Sequence, residues 1–133
     1  MSTAEQNKQL VIEMFEALGR GDYPAYEKHL ADDLTITMIG DTVFSGTHTK
    51  EEFKKKVAER ALALIPGGVP NTPTRFIAEG DTVVIQAYGR STTTDGRPYN
   101  NELCLVWTFK DGKLARAVEY FDTALVQRVF GES

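Results

Sequence analysis

The order of its periodicities most constrains what this 133-residue chain can fold into, because helical patterns come first and strand patterns follow. From Thr74 onward, segments rich in β-branched and aromatic residues alternate with short turns that contain aspartate and glycine. The segments predicted as strands are 75–79, 82–93, 99–109 and 114–121. Helices followed by a meander of strands are typical of an α+β fold, in which helices pack on one face of a curved antiparallel sheet.

Two helices are predicted at the start of the chain. Ser2 and Glu5 have the spacing of a capping box, and apolar residues recur at helical intervals up to Gly19, which predicts a helix over 3–18. Asp22 can cap a second, short helix with Pro24 in its first turn. This second helix is predicted to end near residue 31.

The middle of the chain predicts a hairpin and a third helix. Alternation over 34–39, a turn at 40–41 and a return over 42–44 predict the hairpin. Thr49 and Glu52 form another capping box, and the helix that it opens is predicted to end at a Pro-Gly-Gly sequence. With these elements, residues 1–133 form a single predicted domain.

Composition excludes several classes of function. The formal net charge is −4, so no basic field is available to bind phosphate backbones, and a nucleic-acid partner is not expected. Cys104 is the only cysteine and lies in an apolar strand, which favours a buried structural thiol. Two distant histidines and one cysteine predict no metal site. The acidic N-terminal helix and the lack of a long apolar run predict a cytoplasmic protein without a membrane partner.

The last strand contains a carboxylate where burial is expected. Strand alternation places Ala117, Glu119 and Phe121 on one face of the segment 114–121. One face of the preceding strand carries Asn101, Leu103, Leu105 and Trp107. The two faces can line one pocket between the sheet and the helices. Because charged residues inside buried strands break a packing rule, Glu119 is the first candidate for a functional group.

Three sequence segments, FEALGRGDYPAYEKHLADDLTI, FSGTHTKEEF and TFKDGKLARAVEYFDTAL, resemble those of SnoaL-like proteins in the NTF2-like superfamily. The resemblance covers essentially the whole chain. It implies a cystatin-like cone, shared with ketosteroid isomerase and limonene epoxide hydrolase, in which N-terminal helices and a curved sheet enclose a pocket. It also implies a homodimer that forms through the outer face of the sheet, with Val106, Val118 and Tyr120 as candidate contacts. No cofactor is expected.

The catalytic residues of ketosteroid isomerases are not matched in this chain. The position of their general base corresponds to Met38, and the position of the oxyanion tyrosine corresponds to Met14 or Phe15. The aspartate that assists the tyrosine is replaced by Leu103 or Leu105. Since none of these side chains can transfer a proton, steroid-type isomerisation by that mechanism is not expected.

The catalytic residues of epoxide hydrolases of this fold are matched only in part. Their Arg, Asp and second Asp correspond to Gln86, Tyr88 and Glu119, so one acid is retained. The Tyr and Asn that position water in those enzymes correspond to Ile36 and Met38, which are apolar. Epoxide hydrolysis is therefore also not expected.

The remaining hypothesis is acid or base catalysis by Glu119 in an otherwise neutral pocket that binds a small hydrophobic molecule. The predicted lining consists of Ile36, Met38, Phe53, Val57, Gln86, Tyr88, Asn101, Leu103, Leu105, Trp107 and Phe121. Apolar surroundings favour the neutral carboxyl group, which makes it an acid or base near neutral pH. The resemblance then implies a cofactor-independent isomerase, cyclase or dehydratase that acts on a carbonyl or hydroxyl compound. A binding module without chemistry and a protein-interaction module are the alternatives.

Structural explanations exist for several of the same residues. Glu119 can instead form an ion pair across the sheet with Arg75, Arg90 or Arg116. Asn101 can belong to the turn after Pro98 or can donate to a ligand carbonyl. His48 precedes a helix and has a loop role or reaches the mouth of the cone, and Asp122 is predicted to cap the last helix.

Overall fold

The structure is a computed structural model that describes residues 3–131. The helices are α1 (Thr3–Gly19), α2 (Tyr23–Glu27), α3 (Lys50–Phe53), a π-helical turn (Lys54–Ala58), α4 (Glu59–Leu64) and α5 (Thr123–Phe130). The strands are β1 (Leu30–Met38), β2 (Gly46–Thr49), β3 (Asn71–Glu79), β4 (Thr82–Thr92), β5 (Pro98–Lys110) and β6 (Lys113–Phe121). The predicted capping box at the start of α1 includes Ser2, which lies outside the described residues.

The six strands form one curved, unclosed sheet in the order β2-β1-β6-β5-β4-β3. This arrangement confirms the predicted α+β class. All neighbouring strands are antiparallel except β1 and β6, which pair in parallel. The prediction of a wholly antiparallel sheet is therefore wrong at this one junction. Short turn signals identify only hairpin neighbours, and β1 and β6 are far apart in the chain.

Two element boundaries in the first half differ from the predictions. The second helix ends at Glu27 because the chain enters β1 at Leu30, where the backbone N–H of Leu114 donates to the His29 carbonyl at 2.7 Å. The hairpin returns through β2 rather than through residues 42–44, which lie in the turn. That turn is held by the hydroxyl of Ser45, which accepts from the backbone N–H of Thr42 at 2.8 Å.

Two predicted helix caps are confirmed. The Thr49 side chain accepts from the backbone N–H of Glu52, while the Glu52 carboxylate accepts from the backbone N–H of Thr49 at 2.9 Å. Asp122 caps α5 by accepting from the backbone N–H of Leu125 at 3.1 Å. These bonds satisfy backbone donors that have no partner inside the helix, which sets where each helix starts.

Helix α1 is anchored on the concave face of the sheet by aromatic packing. The ring of Phe15 stacks on Trp107 of β5, with centroids 5.5 Å apart and an interplanar angle of 15°. Phe15 also meets Phe76 of β3 edge to face, with centroids 6.3 Å apart. Val11 and Met14 on the same helix face have no solvent exposure. Because α1 covers this face, we call the concave side of the sheet the inner face.

The amide of Asn101 joins β5 to the start of α5. Its Nδ2 donates to the Tyr99 hydroxyl at 3.1 Å, and its Oδ1 accepts from the backbone N–H of Asp122 at 3.0 Å. The residue is only 2% exposed, so water cannot replace these bonds without a rearrangement. The turn from β6 into α5 therefore depends on one buried side chain.

We expect Asn101→Ala to lower the free energy of unfolding by about 2 to 4 kcal/mol, because two polar partners lose their bonds and a cavity forms. Asn100→Ala is the matched control, since Asn100 is exposed on the same strand. Urea unfolding of the three proteins measures the difference. Equal stability of the two variants would contradict this role of Asn101.

Candidate functional site

Glu119 lies on the inner face, in the central part of the sheet. Strand β6 is paired on both sides, and Glu119 lies opposite Leu105 of β5 and beside Met38 of β1. These neighbours are 3% and 9% exposed, so the carboxyl group is flanked by apolar side chains. The strand alternation of β6 puts Ala117 on the same face and Val118 on the other.

The alternative in which Glu119 forms an ion pair with an arginine is not observed. Arg75, Arg90 and Arg116 are exposed and occupy the opposite, outer face of the sheet. Arg90 instead pairs with Glu102 at 3.5 Å. Within residues 3–131, the Glu119 carboxyl group has neither an ion pair nor a hydrogen bond. It is an uncompensated acid in apolar surroundings.

Burial raises the pKa of Glu119 from its ordinary value to about 7. Desolvation is the cause, because the protein around the carboxyl group offers little to solvate a negative charge. Glu119 taken as a whole residue is nevertheless only partly buried, so it is recessed rather than sealed in the core.

Tyr26 of α2 is a polar neighbour of Glu119 that the sequence analysis did not include in the site. It packs, half-buried, against the core cluster that contains Leu105, Trp107 and Ala117. Burial raises the pKa of the Tyr26 phenol, and the negative charge of Glu119 raises it further. The phenol therefore stays protonated and acts only as a neutral hydroxyl. A helix of five residues is too short for its periodicity to reveal which side faces the sheet.

Trp107 contributes the third polar group of this region. Its side chain is on the inner face, one alternate position along β5 from Leu105, which pairs with Glu119. The residue is 4% exposed, and its indole Nε1 has no hydrogen-bond partner among the described residues. Buried N–H donors without an acceptor are rare, so this atom requires an explanation.

The structure brings most of the predicted lining residues onto the inner side. Ile36, Met38, Leu105 and Trp107 are buried there, and Leu103 pairs with Phe121 beside them, both half-buried. The helical lining residues come from the segment that follows β2. Val57 is buried in a second core cluster, and Phe53 packs against both clusters.

The prediction that Gln86 and Tyr88 line the pocket is wrong. They pair with Cys104 and Glu102, and these residues belong to the outer face. The side chain of Tyr88 instead supports the guanidinium of Arg90, which lies 4.6 Å from its ring centroid. The inner positions of β4 are taken by Val83, Ile85, Ala87 and Gly89. At Gly89 an added Cβ would lie 2.9 Å from the Asn71 side chain.

Asn101 and His48 are both buried, and both have structural partners. The two bonds of Asn101 described above use both ends of its amide, which favours the structural interpretation over donation to a ligand. His48 lies in β2 beside Ile36, and its Nε2 bonds to the Phe44 carbonyl at 2.9 Å. Because a carbonyl only accepts, Nε2 carries the hydrogen. Cys104 is half-buried on the outer face rather than in the core.

Glu119 lines neither of two surface clefts formed by residues within 3–131. One, of about 230 Å³, lies between α1 and α2 and is bordered by Glu13, Glu16, Ala17, Arg20, Ala25, Lys28 and His29. The other, of about 500 Å³, is bordered by Arg97, Pro98, Asn100, Leu125, Arg128 and Val129. The enclosed pocket expected around Glu119 therefore stays a prediction.

Residues 3–131 contain neither a candidate metal-binding cluster nor a candidate membrane-spanning helix. Residues 3–131 contain no group of three or more His, Cys, Asp or Glu side chains that could hold a metal ion. None of the helices within these residues is both long and apolar enough to cross a membrane.

Solved structures with the same fold are numerous. An NTF2-like protein of unknown function from Burkholderia pseudomallei has a TM-score of 0.80 and 28% identity, over 99% of this chain and 100% of that one. TerC, co-crystallised with polyporic acid, has a TM-score of 0.79 and 21% identity over 96% and 99%. IdmH from Streptomyces antibioticus, named as a proposed polyketide cyclase, has a TM-score of 0.73 and 19% identity over 96% and 99%.

Sequence comparison gives a family but no characterised relative. No protein with a curated description matches this chain. The profile of the SnoaL-like domain matches residues 11–117, which is most of the chain and stops two residues before Glu119. Together with the shared fold, this match shows that the chain belongs to the SnoaL-like family.

Proposed function

We propose that this protein catalyses a proton transfer on a small hydrophobic carbonyl or hydroxyl compound, with Glu119 as the acid or base and without a cofactor. The observation that carries the proposal is the state of Glu119. It is recessed on the inner face, has apolar neighbours and no ion pair, and its pKa is raised to about 7. A carboxyl group with that pKa is populated in both protonation states at neutral pH, which suits it to general acid and base catalysis.

The surrounding residues define the class of substrate. The inner-face neighbours of Glu119 are aliphatic or aromatic, so they bind an apolar body. Glu119 in its carboxylate form removes a proton from the carbon next to a carbonyl and returns it to another atom of the same molecule. An isomerisation, a cyclisation or a dehydration can follow from this step, and none of them requires a redox partner.

Membership in the SnoaL-like family supports a small organic ligand. One protein of the same fold is named as a proposed polyketide cyclase, and another was crystallised with polyporic acid. Both are less than 25% identical to this chain, so their likeness shows the fold alone, and the small organic ligand is part of this proposal. The alternatives are a ligand-binding module without chemistry and a protein-interaction module, and the experiments below separate them.

We expect the wild-type protein to catalyse deuterium uptake at the α-carbon of simple enolisable ketones in D₂O, and Glu119→Gln to lose this activity. Acetophenone and cyclohexanone are suitable probes, because exchange reports proton abstraction without knowledge of the natural substrate. Proton NMR follows the loss of the α-hydrogen signal. The matched control is Glu102→Gln, which removes an exposed acid from the outer face. Exchange equal in wild type and Glu119→Gln would reject catalysis by this acid, while ketone binding without exchange would favour the binding module.

The raised pKa of Glu119 also predicts a specific pH dependence of stability. At low pH both the folded and the unfolded chain are protonated at this position. As the pH rises from about 4.5 to about 7, the unfolded chain releases the proton first, so this residue lowers the free energy of unfolding by up to about 3 kcal/mol. The penalty stays constant at higher pH.

We therefore expect Glu119→Gln to be close to wild type in stability at about pH 5 and more stable than wild type at about pH 8. The gain expected at the higher pH is up to about 3 kcal/mol, because glutamine carries no charge to desolvate. Urea unfolding at the two pH values measures it, again with Glu102→Gln as the control. A stability difference that does not change with pH would mean that Glu119 is well solvated.

We also propose that the protein forms a homodimer through the outer face of its sheet. Ile77, Val84, Val106 and Val118 are in register across four adjacent strands and form an apolar row. Ile77 is 46% exposed, and so is much of the side chain of Tyr120 nearby. The rim carries charges of both signs, a pattern that a second copy related by a two-fold axis can complement with itself.

We expect the wild-type protein to have about twice the chain mass of 14.8 kDa in light scattering, and Val106→Lys to have the mass of a single chain. The lysine places a charge in the middle of the apolar row, where burial against a second copy is unfavourable. The control is Leu62→Lys, which changes an exposed apolar residue on α4, away from the sheet. Alkylation of Cys104 should also be faster in Val106→Lys. A wild-type mass of one chain at high micromolar concentration would reject the dimer.

A further inference from the structure

We propose that the indole N–H of Trp107 and the hydroxyl of Tyr26 bind the oxygen atom of a ketone whose α-carbon faces Glu119. This inference rests on the proposed proton transfer and deepens it, because it assigns the groups that stabilise the oxygen while the proton moves. It also narrows the ligand to an enolisable ketone with an apolar body.

The first argument is the unpaired donor of Trp107. A buried indole N–H costs free energy when it has no acceptor, and Trp107 is 4% exposed with no partner for Nε1 among residues 3–131. The ring of Phe15 stacks on one face of the indole, so the indole has little freedom to turn toward another hydrogen-bond partner. A ligand oxygen would supply the missing acceptor.

The second argument is the position of this donor relative to the acid. Glu119 pairs with Leu105, and Trp107 is the next inner-face residue along β5, where it pairs with Ala117. Side chains in such a diagonal relation across antiparallel strands are within reach of long or aromatic groups. The indole and the carboxyl group therefore belong to side chains on the same face of the sheet, one diagonal apart.

The third argument is the placement of Tyr26 over the same surface. Its ring packs against the core cluster that includes Leu105, Trp107 and Ala117. Asp22 caps α2 by accepting from the backbone N–H of Ala25 at 3.2 Å, and the Lys113 ammonium donates to the Lys28 carbonyl at 2.7 Å. The cap fixes where α2 begins, and the Lys113 bond ties its C-terminal end to the start of β6. The Tyr26 hydroxyl has no hydrogen bond among the described residues, not even to Glu119, so it is available to bind a ligand.

The chemistry of the step is balanced without any further reactant. The Glu119 carboxylate takes a proton from the α-carbon, the electrons of that C–H bond form a C=C bond, and the carbonyl π electrons move to oxygen. Hydrogen bonds from Trp107 and Tyr26 stabilise the negative charge that develops there. Glu119 then returns the proton to carbon at a different position. In simple exchange, the protonated carboxyl group first exchanges its proton for a deuteron of the solvent and delivers that deuteron to the same carbon.

Among residues 3–131, none of the arginines of the sheet strands lies on the inner face near Glu119, which favours a ligand without a full negative charge. The arginines of β3, β4 and β6 are on the outer face, and the inner-face groups near Glu119 are neutral. A ligand that carried a full negative charge before reaction would meet two neutral donors and one acid. A neutral ketone, which gains charge only during the reaction, matches these groups better.

The single tryptophan of the chain makes a direct test possible, because only one indole N–H signal exists in a ¹H–¹⁵N correlation spectrum. Uniformly ¹⁵N-labelled wild-type protein is titrated with acetophenone and, separately, with ethylbenzene, which has the same shape without the oxygen. We expect the indole proton signal to move downfield with acetophenone and to stay near its original position with ethylbenzene. The titration needs no variant and therefore does not depend on how a substitution affects folding.

The variants test the role of each donor in the exchange reaction. We expect Trp107→Phe and Tyr26→Phe each to lower kcat for acetophenone exchange by about a hundredfold and to raise KM less than about tenfold. Tyr120→Phe, which removes an exposed hydroxyl from the outer face, is the control and should change kcat much less. A merely structural role of Trp107 would lower the free energy of unfolding of Trp107→Phe without lowering kcat per folded molecule.

The outcomes separate this inference from the proposed function. If exchange depends on Glu119 but the indole signal does not respond to acetophenone, the assignment of Trp107 is wrong and the proton transfer stands. If kcat is unchanged in Tyr26→Phe, the assignment of Tyr26 is wrong. If no exchange and no indole shift occur up to the solubility of the ketone, both proposals fail.

Discussion

The pairing of β6 on both of its edges is the constraint on which the rest of the site depends. A strand bonded to β1 on one side and to β5 on the other cannot change its register without breaking two ladders. Since successive side chains of a strand point to opposite faces, this pairing fixes Glu119 on the inner face and Arg116 on the outer one. The acid is thus separated by the sheet itself from the cations that would neutralise it.

The helices convert this inner face into a covered surface. Helix α1 is held by the stack of Phe15 on Trp107, and α2 places Tyr26 on the same cluster of buried residues. On the other side, Phe53 contacts both core clusters, so the segment that contains the π-helical turn connects the two halves of the interior. π-Helical turns occur often near functional sites, because the extra residue changes the direction of the side chains that follow.

Alternation along the sequence predicts which side chains lie on the inner face in β5 and β6, but it does not do so in β4. In β6 the positions of Ala117, Glu119 and Phe121 follow from alternation alone, and they are on one face in the structure. In β4 apolar residues occur at both parities, and the assignment of Gln86 and Tyr88 came from matching positions to another enzyme type. At Gly89 the inner side of β4 leaves no room for a side chain, because an added Cβ would lie 2.9 Å from Asn71 Oδ1 and 3.3 Å from the Pro70 carbonyl oxygen. Such a contact leaves no local signal in the sequence.

The parallel pairing of β1 with β6 and the place of Tyr26 in the site could not be predicted from the sequence either. The parallel pairing of β1 with β6 is a long-range contact, whereas turn residues report only neighbouring strands. Tyr26 was missed as a site residue because the orientation of a single helical turn is decided by the contacts at its ends. The caps at Thr49 and Asp122 were predictable because each depends on one side chain and a backbone group three residues later.

Two polar groups on the inner face lack hydrogen-bond partners, and one lacks a donor where the other lacks an acceptor. Glu119 is an acid without a donor, and Trp107 carries a donor without an acceptor, yet no hydrogen bond joins them in the described residues. Each would cost less as an apolar side chain of similar size, since burial of an unpaired polar group is unfavourable. A single molecule that presents an oxygen to the indole and an acidic C–H to the carboxylate would relieve both costs at once. One bound molecule would therefore explain both unpaired polar groups. This is the strongest reason to look for a ketone on this face of the sheet rather than in either of the open clefts.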